Sequence, residues 1–417
     1  MHVSVVGCGK LGLPASAFFA SKGHEVTALD VNALLIERLR KGECPIEETD
    51  LAPLLKQQTI TFTSNFDDVT NSEIIFVIVP TPSDTSGRFS NEYVLNALKH
   101  LREYEGLVVI TSTVMPGSCE KAFKPLLLRS QLCYGPEFIA LGTILRDMSK
   151  PDVVLIGEDD KASGDLLERF HRTLYDSVPI CRMSWENAEV AKLALNVFVT
   201  TKLSLINTIA EACEKIPKGN VDEIANFLGH DSRIGPKYLV SGVGFGGPCF
   251  PRDNSAFVAF AKDIGINHQL QTATDDFNNT HWVSIVERAN ELCKGDTVSI
   301  LGLTYKPFTN VVEESRALKI AEALSTKFNV RVHDPEGMNN AKKILSGVTF
   351  CASIPECLHR SDLCVIATPW DEFKTLTYDI FRDLMRRPTV LDCWRILNSE
   401  SLTAGGVDYL TVGVNSD

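Results

Sequence analysis

The stretch "HVSVVGCGKLGLPASAFFASKGHEVTALD", residues 2–30, decides the fold. His2 to Val6 is an apolar run of the kind that forms a parallel strand buried on both faces. Gly7, Gly9 and Gly12 then make a GxGxxG, and an Ala-rich apolar segment of helical character follows. In this arrangement Gly7 permits a tight turn, Gly9 lets the backbone approach a pyrophosphate, and Gly12 brings helix against strand, while the helix N-terminus attracts the anion. "HEVTALD" supplies a second strand ending in Asp30, about 20 residues on, where a carboxylate accepts ribose hydroxyls and repels a 2′-phosphate. A lone GxGxxG says little. With a strand before it, a helix after it and an acid at this distance, it predicts a dinucleotide site for NAD rather than NADP.

Working outward, "EIIFVIVPTP" (residues 73–82) and "GLVVITSTV" (residues 106–114) are further strands whose following loops reach the same crevice, because ligands gather at the carboxyl ends of parallel strands. Thr81 and Thr113 stand at those ends as candidate contacts. Either could instead cap a helix. Alternation of strand and helix resumes late in the chain with "TVSILGL", "NVRVHDP", "DLCVIATPW" and "PTVLDCWRIL", which implies a second parallel sheet. Its first turn has Gly302 but no complete GxGxxG, so a second NAD is not expected there, although another nucleotide could bind. Lys306 and Arg395 lie just past strand ends, where a diphosphate could be clamped. As isolated surface charges they would mean little.

Between the sheets, residues 186–216, "ENAEVAKLALNVFVTTKLSLINTIAEACEKI", contain neither Gly or Pro and stop at Pro217. They predict one helix about 45 Å long, a span that more often links domains or subunits than hides in one core. Lys192 and Asn196 are four apart and share a face of that helix among mostly apolar neighbours. An ammonium beside an amide can stabilise an oxyanion, whereas the blander alternative is a solvated face.

The chain has 417 residues, 44% apolar and 23% charged, with a formal net charge of −12. That length exceeds one ordinary core. No Lys or Arg stripe forms, which disfavours nucleic acid or an anionic membrane as partner. No secretory signal and no apolar run long enough to span a bilayer stand out, so a cytoplasmic protein is expected. The 12 cysteines are scattered without CxxC or zinc spacing, so no metal site is expected and most read as small buried hydrophobes.

One cysteine has an unusual setting. In "GVGFGGPCFPRD", residues 242–253, Cys249 follows a glycine-rich loop and precedes an amphipathic segment. A thiol at a helix N-terminus beside Arg252 favours the thiolate nucleophile. Together with a dinucleotide site it suggests a four-electron oxidation. An alcohol becomes an aldehyde, the thiolate captures it as a thiohemiacetal, and a second oxidation gives a thioester that water cleaves to an acid.

The motifs "GCGKLGLP", "VPTP", "STVMPG", "PEF", "AEVAKLALNVF", "DSRIGPKYL", "GVGFGGPCFPRD", "GLTYKP", "DP" and "WDEF", in this order, resemble the UDP-glucose/GDP-mannose dehydrogenase family over nearly the whole chain. The resemblance implies two Rossmann-like doubly wound parallel-sheet domains joined by a helical region with a long central helix, through which homodimers form. The corresponding boundaries are 1–185 for NAD, 186–285 for the helical region with the cysteine loop, and 286–417 for the UDP-sugar. It implies oxidation of a nucleotide sugar at its 6-position with NAD as cofactor. Cys249 is then the nucleophile, Lys192 and Asn196 stabilise oxyanions, Asp253 assists a water, and Glu137 and Thr113 handle water and protons. Lys10 and Leu11 join the glycines, Asp30, Thr81 and Thr113 at the cofactor. Arg233, Lys237, Tyr238, Gly246, Lys306 and Arg395 join Glu137, Lys192 and Asn196 at the substrate, Arg233 reaching toward the neighbouring subunit.

The chain departs from the family pattern at several places. Gly135 stands before "PEF" in place of Asn, and Leu141 replaces a Glu four residues after Glu137. Glu313 replaces a cofactor-binding Arg, Arg252 a Lys, and Pro248 a frequent Ser. The expected reaction is UDP-glucose to UDP-glucuronate, with GDP-mannose or a UDP-N-acetylhexosamine as alternative substrates. Two other readings are a two-electron alcohol dehydrogenase, in which Cys249 is structural, and a silent nucleotide-binding protein.

Overall fold

The computed structural model describes residues 1–415. They fall into two compact units, the first made of residues 1–195 and 259–265, the second of 196–258 and 266 onward.

The first unit opens with β1 (His2–Val6), α1 (Gly12–Ser21) and β2 (Glu25–Leu29), as the opening stretch predicts. It continues through α2 (Ala33–Arg40), α3 (Leu51–Gln57), β3 (Ile60–Thr63), β4 (Ile74–Val77), α4 (Glu92–His100) and β5 (Leu107–Ile110). The unit is extended by β6 (Gln131–Tyr134), α5 (Ile144–Ser149), β7 (Val154–Glu158), α6 (Lys161–Leu174) and β8 (Ile180–Ser184). The strands lie in the order β3-β2-β1-β4-β5-β6-β7-β8. Every pairing is parallel except β6 with β7. Val3 and Val5 on one face of β1 and Ser4 on the other are all fully buried, as expected of a central strand covered on both faces. β1 pairs with β2 on one side and β4 on the other. The chain therefore reverses its winding direction beside β1, and the crevice that takes ligands opens at the carboxyl end of that strand.

Helix α7 (Trp185–Lys215) is the long helix read from the sequence. By length and composition it is also apolar enough to cross a membrane, with 44% of its most apolar window buried. That corrects the expectation that no apolar run reaches such a length. Several of its polar residues, Glu189, Lys192 and Asn196 among them, are themselves buried.

The second unit holds α8 (Val221–His230), part of α9 (Phe250–Asp263) and α10 (Gln269–Leu292), then β9 (Thr297–Leu301), α11 (Arg316–Ser325), β10 (Asn329–His333), β11 (Thr349–Phe350), β12 (Leu363–Ile366), β13 (Thr389–Asp392) and β14 (Asp408–Thr411). Its sheet is wholly parallel in the order β11-β10-β9-β12-β13-β14. Both sheets thus contain the doubly wound permutation in which the third, second and first strands precede the fourth.

Asp334, just past β10, stands where Asp30 stands past β2. Its carboxylate accepts the N–H groups of Leu303, Thr304, Glu336 and Gly337, the Thr304 hydroxyl and the Trp370 indole, at 2.6–3.1 Å. A carboxylate offers about four lone-pair sites, so Asp334 is saturated by its own loop.

Candidate active site and cofactor cradle

In the first unit the glycines do what their positions demand. Gly7 has φ +104°, and a Cβ there would lie 2.1 Å from the Ile78 carbonyl oxygen. A Cβ on Gly12 would lie 1.8 Å from the Gly7 carbonyl oxygen, so α1 meets β1 through a bare backbone. Around Gly9, by contrast, a Cβ would find nothing within 4 Å. Lys10 is exposed and Leu11 half-buried beside it. Asp30 crosses the mouth of this turn, accepting the Cys8 N–H at 2.8 Å and the Asn32 N–H at 2.9 Å. About two lone-pair sites remain for hydroxyls. The open face at Gly9, the bare turn and a half-used carboxylate fit a dinucleotide. Cys8, buried there, has its thiol held well above the ordinary value by burial and by the Asp30 charge, so it is no nucleophile.

The buried Thr81 donates its hydroxyl to the Thr113 carbonyl at 2.7 Å. The two predicted threonines therefore meet and tie the loops after β4 and β5 together. The Thr113 side chain is half-buried.

Glu137 and Lys192 also meet, though through the backbone of the acid. Lys192 Nζ donates to the Glu137 carbonyl oxygen at 2.5 Å and lies 4.5 Å from the centre of the Phe138 ring. Burial pushes the Glu137 carboxyl up to about 7, against the pull of the Lys192 charge. A carboxyl with that value exchanges protons near neutral pH. Gly135 is sterically fixed, since a Cβ would stand 2.8 Å from a Val109 methyl. Leu141 packs against the apolar core of this unit.

In the second unit, Cys249 is exposed immediately before α9, and its carbonyl accepts the Asp253 N–H at 2.8 Å. The loop that delivers it is gripped from several sides. Gly242 N–H reaches Asn207 Oδ1 at 2.9 Å, and its carbonyl receives His281 Nε2 at 2.8 Å. The Asn278 amide closes a ring with Phe245, accepting its N–H at 2.8 Å and donating to its carbonyl at 3.0 Å. Gly246 and Gly247 pass so close to the Glu314 carbonyl and the Tyr305 ring that a Cβ would stand 2.3 and 2.5 Å from them. The run of glycines thus reflects the contacts of a clamped backbone.

Asn196 Nδ2 donates to Asp253 Oδ2 at 2.6 Å, both buried. One turn on, Thr200 donates to Asn254, whose amide donates to Asp275, at 2.9 and 2.8 Å.

Other predicted residues are dispersed. Arg233, with 86% of its side chain exposed, pairs with its own neighbour Asp231. Lys237 and Tyr238 are exposed, and Tyr238 holds a left-handed φ of +63°. Lys306 Nζ lies 5.9 Å from the Tyr305 ring centre. Arg395, also left-handed at φ +56°, donates to Asp222 at 2.8 Å and to the Val412 and Ser241 carbonyls at 2.8 and 3.2 Å. In this arrangement its guanidinium braces the loop after β13, and reaching a diphosphate requires exchanging those partners.

Sequence reading missed two clamps. The buried Glu189 accepts the N–H groups of Gly117 and Cys119 at 2.5 and 2.8 Å, fixing the loop that begins at Ser112. An acid three residues before Lys192 in an apolar helix was the available signal. Asn278 sits in the polar run "DDFNNTHW", where nothing singles it out.

Three family models match the chain in order. They are the NAD binding domain of the UDP-glucose/GDP-mannose dehydrogenase family over residues 1–175, its central domain over 186–280 and its UDP binding domain over 299–399. Among curated proteins, the chain is 33% identical to a UDP-glucose 6-dehydrogenase of Rickettsia felis, with 100% of this chain and 97% of that protein covered. It is 30% identical to UDP-glucose 6-dehydrogenase YwqF of Bacillus subtilis, with 99% and 98% covered. The solved structure of a UDP-glucose dehydrogenase from Pyrobaculum islandicum superimposes with a TM-score of 0.88 at 29% identity, over 99% of this chain and 98% of that one. A UDP-D-ManNAc dehydrogenase from Pyrococcus horikoshii shares the fold, with a TM-score of 0.83 at 24% identity over 99% of each chain.

Proposed function

Because the chain belongs to the UDP-glucose/GDP-mannose dehydrogenase family of NAD-dependent oxidoreductases, we propose that it oxidises UDP-glucose to UDP-glucuronate, with two NAD reduced for each sugar. The observation that carries this reading is Cys249, an exposed thiol at the start of α9 on a loop clamped by Asn278, Asn207 and His281. Nine of the other cysteines are buried. A thiol that only filled space would not need so rigid a mount.

NAD, bound through Gly7, Gly9, Lys10, Leu11, Gly12 and Asp30 with Thr81 and Thr113 nearby, supplies the hydride acceptor for each oxidation. The rest is done by side chains. Lys192 and Asn196 offer N–H donors to the oxygen that becomes negative as the 6-hydroxyl passes its proton to a water held by Asp253 and on to solvent. Cys249 sulfur adds to the aldehyde carbon, and the resulting thiohemiacetal is oxidised to a thioester. A water then adds to the thioester carbon, its proton passing to Glu137 or Asp253, and the carbon–sulfur bond breaks to release the acid and restore the thiol. Thr113 helps to place that water. Arg233, Lys237, Tyr238, Gly246, Lys306 and Arg395 serve the nucleotide sugar, Arg395 after leaving Asp222.

The functional parts are residues 1–185, 186–285 and 286–417. Two copies associate through the central helices, a role supported by the exposed Phe198 and Phe227, with relative exposures of 68% and 73%. Cysteines held as thiols rather than disulfides among the described residues suit a reducing cytoplasm.

The test is NADH formed per UDP-glucose consumed, in the wild type and in Cys249→Ser. Two NADH per acid, with complete turnover lost in the variant, supports the reading. One NADH, or an indifferent variant, leaves a two-electron dehydrogenase. Turnover of GDP-mannose or a UDP-N-acetylhexosamine in place of UDP-glucose reassigns the sugar, and nucleotide binding without any NADH leaves a silent binder.

A further inference from the structure

The segment Glu137–Ile144 carries the carboxyl that the reading above places in proton transfer, yet it has no regular structure before α5. It is held at defined points. Lys192 grips the Glu137 carbonyl at the near end. Asp147 accepts the Ala140 N–H at 3.1 Å and the Thr143 hydroxyl at 2.8 Å from within the same turn. The far end is held from a distant part of the chain. Glu48, between α2 and α3, accepts the Gly142 N–H with Oε2 and the Ile144 N–H with Oε1, both at 2.8 Å. Its neighbour Thr49 donates to the Gly142 carbonyl at 2.9 Å. Gly142 itself has φ +85°, a conformation that glycine adopts freely. Leu141 brings only an apolar side chain to this loop and packs it against the core.

We propose that Glu48 is a positioning residue for Glu137. Its two charge-assisted bonds fix the end of the segment, Lys192 fixes the start, and the carboxyl between them is kept where it is partly withdrawn from water. Such bonds are about twice as strong as neutral ones, and removing the acceptor leaves two backbone N–H groups to find water, which requires the segment to open. The charge that acts on Glu137 is Lys192, and the Glu137 charge acts in turn on the Tyr175 hydroxyl. The hydrogen-bond partners of the Glu48 carboxylate are the Gly142 and Ile144 N–H groups, while Asp147 and Thr49 bond to Thr143 and Gly142 of the same loop. This inference rests on Glu137 acting in proton transfer.

The experiment compares full-length wild type, Glu48→Gln, Glu48→Ala and Glu137→Gln, with kcat followed across pH. Wild type shows an acidic limb near 7 that Glu137→Gln abolishes. Glu48→Ala lowers kcat by about ten- to a hundredfold, as expected when a reacting group is displaced by around an ångström, and its limb moves toward the ordinary carboxyl value as Glu137 gains water. KM and the affinity for NAD, read by fluorescence titration, change less than twofold. Glu48→Gln, which keeps one acceptor oxygen and nearly the same shape, falls between and guards against a folding failure of the alanine variant. Hydrogen exchange at Gly142 and Ile144 speeds up in both. A wild-type limb that does not move in either Glu48 variant overturns the positioning role while leaving Glu137 in place. A limb that survives in Glu137→Gln overturns the Glu137 assignment and this inference with it.

Discussion

Asn196 on α7 and Asp253 in the first turn of α9 form a buried side-chain pair, Nδ2 to Oδ2, at 2.6 Å. The amide thus holds the carboxylate that lies one helical turn from Cys249. Asn196→Ala removes that donor from a buried acceptor, and stability should fall by about 1–3 kcal/mol. Asn196→Asp should cost more, because two carboxylates then share one dry site and one must hold a proton. Urea unfolding of the two variants gives the order. Equal stabilities would deny the electrostatic part of the argument.

The three glycines of the first turn should separate in their effects. Gly12→Ala drives a Cβ into the Gly7 carbonyl and should lower the melting temperature with or without NAD. Gly9→Ala meets open space and should melt like wild type alone while gaining less stabilisation from NAD. Thermal melts with and without cofactor distinguish the two classes.

Asp30→Ala deletes the acceptor for the Cys8 N–H and the ribose-facing carboxylate together. NAD affinity should fall by about tenfold or more, as for loss of a charge-assisted hydrogen bond worth roughly 1.5–3 kcal/mol. Discrimination against NADP should narrow, since no negative charge then opposes the 2′-phosphate. Dissociation constants for both cofactors measure it.

Glu137 also affects stability. Its carboxyl rises from 4.5 to about 7 on folding, so the folded chain holds a proton that the unfolded chain has already released. The fold therefore loses stability as pH rises from 4.5 to 7, and the penalty stays constant above that window. Glu137→Gln should flatten this part of a stability–pH curve. An unchanged slope would show that the carboxyl is not shifted.

His171 acts with the opposite sign. Burial pushes its imidazole from 6.5 down to about 4, so the unfolded chain takes up a proton that the folded one refuses. Its contribution is fully present above 6.5 and is lost as pH falls toward 4. His171→Gln should reduce the acid sensitivity of unfolding, measured by denaturant midpoints across that range.

The sequence made the first turn legible because each of its requirements is local: bare backbone at Gly7 and Gly12, an open face at Gly9, and an acid at the end of the next strand. Cys249 was legible for the same reason, as a thiol just before a helix within a glycine run. Lys192 and Asn196 were correctly seen to share a helix face, but spacing alone could not say that one would hold a backbone carbonyl of Glu137 and the other the carboxylate of Asp253. Glu48, Glu189 and Asn278 were illegible for a deeper reason. Each bonds to backbone atoms, and a peptide group carries no side-chain identity for a pattern to register. Arg395 shows the converse limit. Its place after a strand suggested a ligand, whereas Asp222, 173 residues earlier, already holds it.

The saturation of Asp334 makes the two sheets non-interchangeable despite their common strand order. The acid after β2 keeps acceptor capacity for a guest, and the acid after β10 has bound its own hosts. Grafting the GxGxxG alone onto the turn after β9 would yield a folded but cofactor-blind sheet, because the carboxylate meant to greet the ribose would still be answering six donors of its own. Specificity for a dinucleotide is thus written partly in bonds left unmade.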